Sequence, residues 1–149
     1  MLVGADNATP KAELYSSWPL DPSEQQHEKH RGKLESTEGA RVSTLDTYIY
    51  REKIDNVRLV KIDVDGFEVE VVRGGLNFLK QQQPIIIMEL APYTLDERGS
   101  SLEQLLKMLS SVGYVLCSQD NGHELPASSS ELRAFIPDGG SINVIARAN

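Results

Sequence analysis

Arg58-Leu-Val-Lys-Ile-Asp-Val-Asp-Gly-Phe-Glu-Val-Glu-Val-Val-Arg-Gly-Gly-Leu-Asn-Phe-Leu-Lys80 reads as a strand, a turn and a helix in succession. Val57 to Val64 is apolar and rich in β-branched residues, broken only by Arg58, Lys61 and Asp63. Such a run fits a parallel strand in a sheet covered by helices. Gly66 marks the turn. Asp65 is placed to cap the following helix, with Glu68 three residues on as the acidic partner of a capping box. Val69, Val72, Leu76 and Leu79 then recur at helical spacing up to about Lys80. Gly74 and Gly75 inside that helix should cost about 1 kcal/mol each relative to Ala, and would let it lie close against the sheet. A second strand, Pro84 to Leu90, also ends in an acid, Glu89. Acids at the carboxyl ends of strands stand where open α/β sheets bind ligands.

Downstream, Leu102, Leu105, Leu106 and Leu109 share one helical face, with Ser100 or Ser101 as cap and Gly113 beyond the end. Tyr114 to Ser118 reads as a strand, Gln119 to Pro126 as a turn-rich link and Ile142 to Ala146 as a last strand. Upstream, Thr44 caps a short helix from Leu45 to Arg51. The polar stretch from Pro19 to Gly39 reads as a surface loop, and short strands near the start and at Ala12 to Tyr15 form a hairpin around the turn Asp6 to Pro10. The 149 residues thus predict one α/β domain: an N-terminal hairpin and polar loop over 1–40, then a strand and helix core over 41–149. The sheet is expected to be mainly parallel with a C-terminal antiparallel strand pair.

The formal net charge of −7 speaks against a nucleic-acid surface, which needs clustered Lys and Arg. The longest apolar run, Ile85 to Met88, is far too short for a bilayer span. A single cysteine, Cys117, in a strand-like setting reads as a buried, inert thiol and suits a reducing compartment. No secretion signal follows Met1. A cytoplasmic protein with no nucleic-acid or membrane partner is expected.

The order of elements resembles the second half of the Rossmann-like methyltransferase fold. At the level of motif the chain resembles the FkbM family of S-adenosylmethionine-dependent methyltransferases. The likeness rests on Thr44-Leu45-Asp46, on Lys61-Ile62-Asp63-Val64-Asp65-Gly66-Phe67-Glu68, on the Gly-containing helix, and on the Ile-rich strand ending in Glu89. The segments Leu2 to Asn7 and Ala12 to Tyr15 look like the lead into this region. The resemblance implies S-adenosylmethionine as cofactor and methylation of a hydroxyl on a sugar or natural-product-like small molecule. It implies Asp63 and Glu89 as catalytic residues and Asp63 and Asp65 as cofactor-binding ones. Family members hold the cofactor with a Gly-rich turn after an earlier strand and a later acid on the ribose. This chain has no such pair, and only two residues precede the superficially similar Val3 to Asn7. A C-terminal half of a longer methyltransferase, or a shortened relative, with little cofactor affinity of its own, is the expectation.

Other readings of these residues stand beside it. Asp65 reads more readily as a helix cap than as a site residue, and Asp63 more readily as a site residue than as a partner of a neighbouring loop. Asp63, Asp65 and Glu89 would hold a divalent cation only if they converged, and no metal is assigned. His27 and His30 lie in the polar loop, where a general base is conceivable but a solvated side chain is commoner, and His123 reads the same way. Tyr15 and Trp18 would either cover a substrate or pack the hairpin. Val60 to Gly66 also resembles the nucleophile motif of haloacid dehalogenase-like phosphatases, with Asp63 as nucleophile, Asp65 as acid/base and bound Mg2+. The Lys that such enzymes need after their second motif is missing, since none follows Lys107. A non-catalytic α/β interaction module is the third reading. Finally, the strand at Val57 to Val64 lacks an obvious outer neighbour. Its edge is expected either to pair with residues from Met1 to Tyr15 or Arg41 to Leu45, or to mediate self-association.

Overall fold

In the computed structural model the described residues are three short strands near the start and the whole of 41–149. The short strands are β1 (Leu2–Val3), β2 (Leu14–Ser16) and β3 (Lys33–Glu35), and β4 (Val42–Ser43) follows. β1 runs parallel to β4, and β2 antiparallel to β3. The two N-terminal strands therefore pair with later strands, not with each other as a hairpin. β3 also falls inside the stretch read as a loop. The proposed turn at Asp6 to Pro10 lies outside the described residues, as do His27 and His30.

From β4 the chain enters α1 (Leu45–Arg51), where the Thr44 hydroxyl accepts from the Thr47 N–H at 3.0 Å. Then come β5 (Leu59–Ile62), α2 (Glu68–Arg73), α3 (Leu76–Gln82), β6 (Ile85–Leu90), α4 (Pro92–Glu97), α5 (Leu102–Ser111), β7 (Tyr114–Ser118), α6 (Ser129–Ala134) and β8 (Ile142–Ala148). The main sheet has the order β5-β6-β8-β7. β5 and β6 are parallel, while β8 lies antiparallel between β6 and β7. The α/β architecture and the closing antiparallel pair are as expected. Insertion of the last strand gives this sheet two antiparallel pairings to one parallel, so it is more mixed than the sequence suggested.

β5 is shorter than its apolar run. The Val57 N–H leaves the ladder to donate to Gln82 Oε1 at 2.9 Å, and beyond Ile62 the backbone turns. The single helix expected up to Lys80 is two. Asp46 explains the break: its carboxylate accepts from the N–H groups of Asn77 (3.2 Å) and Phe78 (2.7 Å), capping α3 from α1. A Cβ on Gly75 would stand 2.9 Å from Leu45 Cδ2. The glycine thus admits α1, not the sheet. α5 carries the complete capping box, in which Ser101 and Gln104 satisfy each other's backbone donors.

The core fills one face of the sheet. Ile62, Ile86, Met88, Leu90, Val144, Ala146 and Leu116 are buried there with Val69, Val72, Leu105 and Leu109 from α2 and α5. The alternate positions point the other way: Leu59 is 56% and Ile85 49% exposed. The expected helical cover is thus present on one face and, among the described residues, not on the other. The outer edge of β5 is likewise unpaired among them, because β4 takes β1 as partner. The expected pairing of that edge by residues 41–45 is not what forms. No helix of the described residues is long and apolar enough to cross a membrane.

Candidate active site

The carboxyl ends of β5 and β6 lie side by side. Ile62 pairs with Met88 at the end of the ladder, Asp63 and Glu89 are the next residues of the two segments, and both carboxylates act on the Lys61 ammonium. Asp63 is exposed and forms an ion pair with Lys61, two positions back on the same face of β5. Asp63 raises the Lys61 ammonium above its ordinary value, first by hydrogen bond and then by charge, and Glu89 adds to it. Glu89 is half-buried, and the Ser141 hydroxyl, from the loop entering β8, donates to its Oε1. Two of the three acids singled out in the sequence are therefore brought together, each steadied by one neighbour.

Asp65 is placed differently from the expected helix cap. It has φ 49° and Gly66 has φ 96°, and the Phe67 N–H returns to the Val64 carbonyl at 3.2 Å. These two residues form the centre of a tight turn of the type that needs two positive φ values. The cap position of α2 falls to Phe67, which offers no side-chain acceptor. Glu68 replaces it in part, its Oε1 accepting from the Gly66 N–H at 3.3 Å. Gly66 is required on a second count. A Cβ there would meet the Thr94 carbonyl oxygen at 2.5 Å, so the turn is packed against α4. Arg98, just past α4, stacks 4.7 Å over the Phe67 ring.

Glu68 is only 4% exposed and its second oxygen has no hydrogen-bond partner. Burial, more than the charges of Asp65 and Glu70, holds its carboxyl above the usual range. The sequence marked it merely as half of a capping box. Ser141 had no local signal at all, because its partner Glu89 is far away in the chain. His123 is exposed on the link after β7 and bonded through its backbone to Ser118 and Asn121. Cys117 is buried, with Arg147 Nε donating to its sulfur at 3.3 Å.

Among the described residues two clefts lie near these elements. The larger, about 580 Å3, lies between α1 and α3 around Ile49, Tyr50 and Phe78. It borders the entries to β5 and β6, at the opposite end of the sheet from Asp63. The smaller, about 220 Å3, lies between the start of α4 and the loop from α6 to β8, next to Ser141.

The described residues fit neither a metal nor a nucleoside cofactor. Among them no three His, Cys, Asp or Glu side chains gather as ligands. A cofactor cradle needs glycines whose bareness faces a ligand. Gly66, the glycine at the carboxyl end of β5, instead faces the backbone of α4. Asp63, the acid available for ribose hydroxyls, is engaged by Lys61.

The model of the methyltransferase FkbM domain matches residues 4–116, about three quarters of the chain. No curated protein and no solved structure matches it. The match spans Thr44 to Asp46, the turn at Asp65-Gly66 and the paired strand ends carrying Asp63 and Glu89, and the described sheet has the mixed α/β form consistent with such an enzyme. The chain belongs to the FkbM methyltransferase family.

Proposed function

We propose that this protein takes part in methyl transfer to a hydroxyl oxygen of a sugar or similar small molecule, with S-adenosylmethionine as the donor, and that Asp63 and Glu89 serve the acceptor. The observation that carries this reading is the juxtaposition of Asp63 and Glu89 at adjacent strand ends, each held by a different side chain. A hydroxyl is a poor nucleophile until a base takes its proton. A carboxylate within hydrogen-bond reach supplies that base, and a second one fixes the direction of the O–H. Ser141 occupies one oxygen of Glu89 and orients the group. Lys61 balances the charge of Asp63, so the two carboxylates stand together at reduced mutual repulsion. Glu89 is assigned as base and the Lys61–Asp63 pair as the positioning element.

S-adenosylmethionine is expected from the family and supplies the methyl group. In this reading Asp63 and Glu89 serve the acceptor, and the donor is held by other parts of the protein. The phosphatase reading of Asp63 and Asp65 gives way to the family assignment. The test is product analysis. The protein is incubated with millimolar S-adenosylmethionine and a set of neutral glycosides and aliphatic alcohols, and products are read by mass spectrometry and NMR. O-methyl products that fall by about tenfold or more in Glu89→Gln and Asp63→Asn are expected. Methylation at nitrogen or carboxylate, or turnover indifferent to both substitutions, would reject the assignment. Hydrolysis of a phosphomonoester with Mg2+ that depends on Asp63 would restore the phosphatase.

A further inference from the structure

The larger cleft lies away from the acidic strand ends, between α1 and α3, and the transfer reading leaves it unused. At about 580 Å3 it falls within the roughly 300–1,000 Å3 of small-molecule sites. Its wall is set by the chain that leaves α1. The Ile54 N–H donates to the Ile49 carbonyl at 3.0 Å and the Lys53 N–H to the Tyr50 carbonyl at 3.3 Å, a helix end of the Schellman type. The Gln82 side chain, from α3, then donates to the Ile54 carbonyl and accepts from the Val57 N–H, both at 2.9 Å. The segment is therefore held on both sides without a ligand, which lowers the ordering cost of binding one.

The turn residue of such a helix end takes a left-handed backbone, and glycine fits it best. Here it is Lys53, at φ 53°. A lysine there carries backbone strain and adds a cationic side chain to the lining. Asp55, two residues on, adds a carboxylate. Among the described residues neither enters an ion pair. Asp46 also borders the cleft, but its oxygens are taken by Asn77 and Phe78. Ile49 and Ile54 supply apolar surface beside the charges, and Tyr50 stands 87% exposed. A purely apolar ligand would leave both charges idle. An anion would be opposed by Asp55 and a cation by Lys53. A ligand with one ring and both charges satisfies the whole lining.

We propose that this cleft binds a free aromatic α-amino acid, its ring against Tyr50, Ile49 and Ile54, its carboxylate toward Lys53 and its ammonium toward Asp55. The site stands apart from the transfer reading and does not depend on it, because Asp63 and Glu89 lie at the other end of the sheet. Saturation-transfer NMR titration of the full chain tests it. L-Phenylalanine and L-tryptophan should bind with dissociation constants of about 1 mM. 3-Phenylpropanoate, which lacks the ammonium, and 2-phenylethylamine, which lacks the carboxylate, should each bind about threefold more weakly. Tyr50→Ala should weaken L-phenylalanine about fivefold. Asp55→Asn should weaken L-phenylalanine about threefold without weakening 3-phenylpropanoate, which separates the ammonium contact from the rest. Lys53→Gly should cost about threefold in L-phenylalanine affinity while melting no lower than the parent, since glycine relieves the strained backbone. Circular dichroism identifies any variant that fails to fold, and if Tyr50→Ala does, the two charge variants decide. No saturation of either amino acid at about 10 mM, equal affinity for all the ring probes whatever their charge, or binding untouched in the folded variants would overturn the site.

Discussion

Ile85 and Ile86 are neighbours in β6 and chemically identical, yet one is 49% exposed and the other fully buried. The same contrast runs across the sheet. One face is closed by α2 and α5, and the other shows Leu59 and Ile85 to solvent. The open face mixes Leu59, Ile85 and Ile87 with Lys61, Glu89 and Arg147, so apolar residues alone report that a segment belongs in a sheet and not that each side is covered. Exposed apolar positions standing together on a sheet are uncommon enough to mean something. In this molecule they lie beside the edge of β5 that is unpaired among the described residues.

The sharpest way to break the comparison is to truncate each isoleucine in turn. Ile86→Ala should cost about 2–5 kcal/mol by removing packed core volume. Ile85→Ala should stay within about 1 kcal/mol. Urea denaturation measures both, and equal losses would show that the open face is covered in solution. Gly66→Ala comes next. The new Cβ collides with the Thr94 carbonyl and the positive φ disfavours it, so a loss of about 1–3 kcal/mol is expected. A neutral result would mean that the turn at the end of β5 is not held against α4.

A weaker effect concerns association. We propose that the edge of β5, open among the described residues, with exposed Leu59 and Ile85 beside it, supports self-association. Light scattering over a concentration series should show the mean mass rising. A constant monomer mass would reject the proposal, and Leu59→Lys should suppress the rise if it occurs. The smallest effect is a pH dependence. Burial raises the folded-state carboxyl of Glu68 above its ordinary 4.5, so its contribution to stability is full below that value and lost as pH rises through the folded-state value. Glu68→Gln should remove that part of the slope, as thermal melts across pH 4 to 8 would show. Identical slopes in the two proteins would place Glu68 in contact with water.

These contrasts also explain what could be read from the sequence. β6, α5, β7 and β8 were legible because their signals are local: an apolar run after Pro84, a Leu stripe behind Ser101, and short apolar runs between turns. The break between α2 and α3 was not. It depends on Asp46 and Leu45 reaching across from α1 to Asn77, Phe78 and Gly75. Thr44-Leu45-Asp46 thus has a structural meaning that no local window contains: one cap for α1, one packing contact and one cap for α3. α4 and α6, six residues each, were too short for periodicity to register. Their signals were still present, in Pro92 at the first helical turn and in Ser128 with Glu131 three residues on. At the candidate site, Asp63 and Glu89 were visible as strand-end acids. Ser141 was not, since the fold alone brings the loop after α6 to the end of β6.

A last comparison sets the acceptor edge against the donor. In the proposed reading Asp63 and Glu89 serve the acceptor, whereas Gly66 is packed against α4 and offers no bare backbone to a donor. Calorimetric titration of S-adenosylmethionine into the protein tests that division most directly. The account predicts no saturable binding in the micromolar range, with donor engagement only at far higher concentration. Tight, saturable binding would contradict it, and would show that this chain builds a donor site the described residues do not reveal.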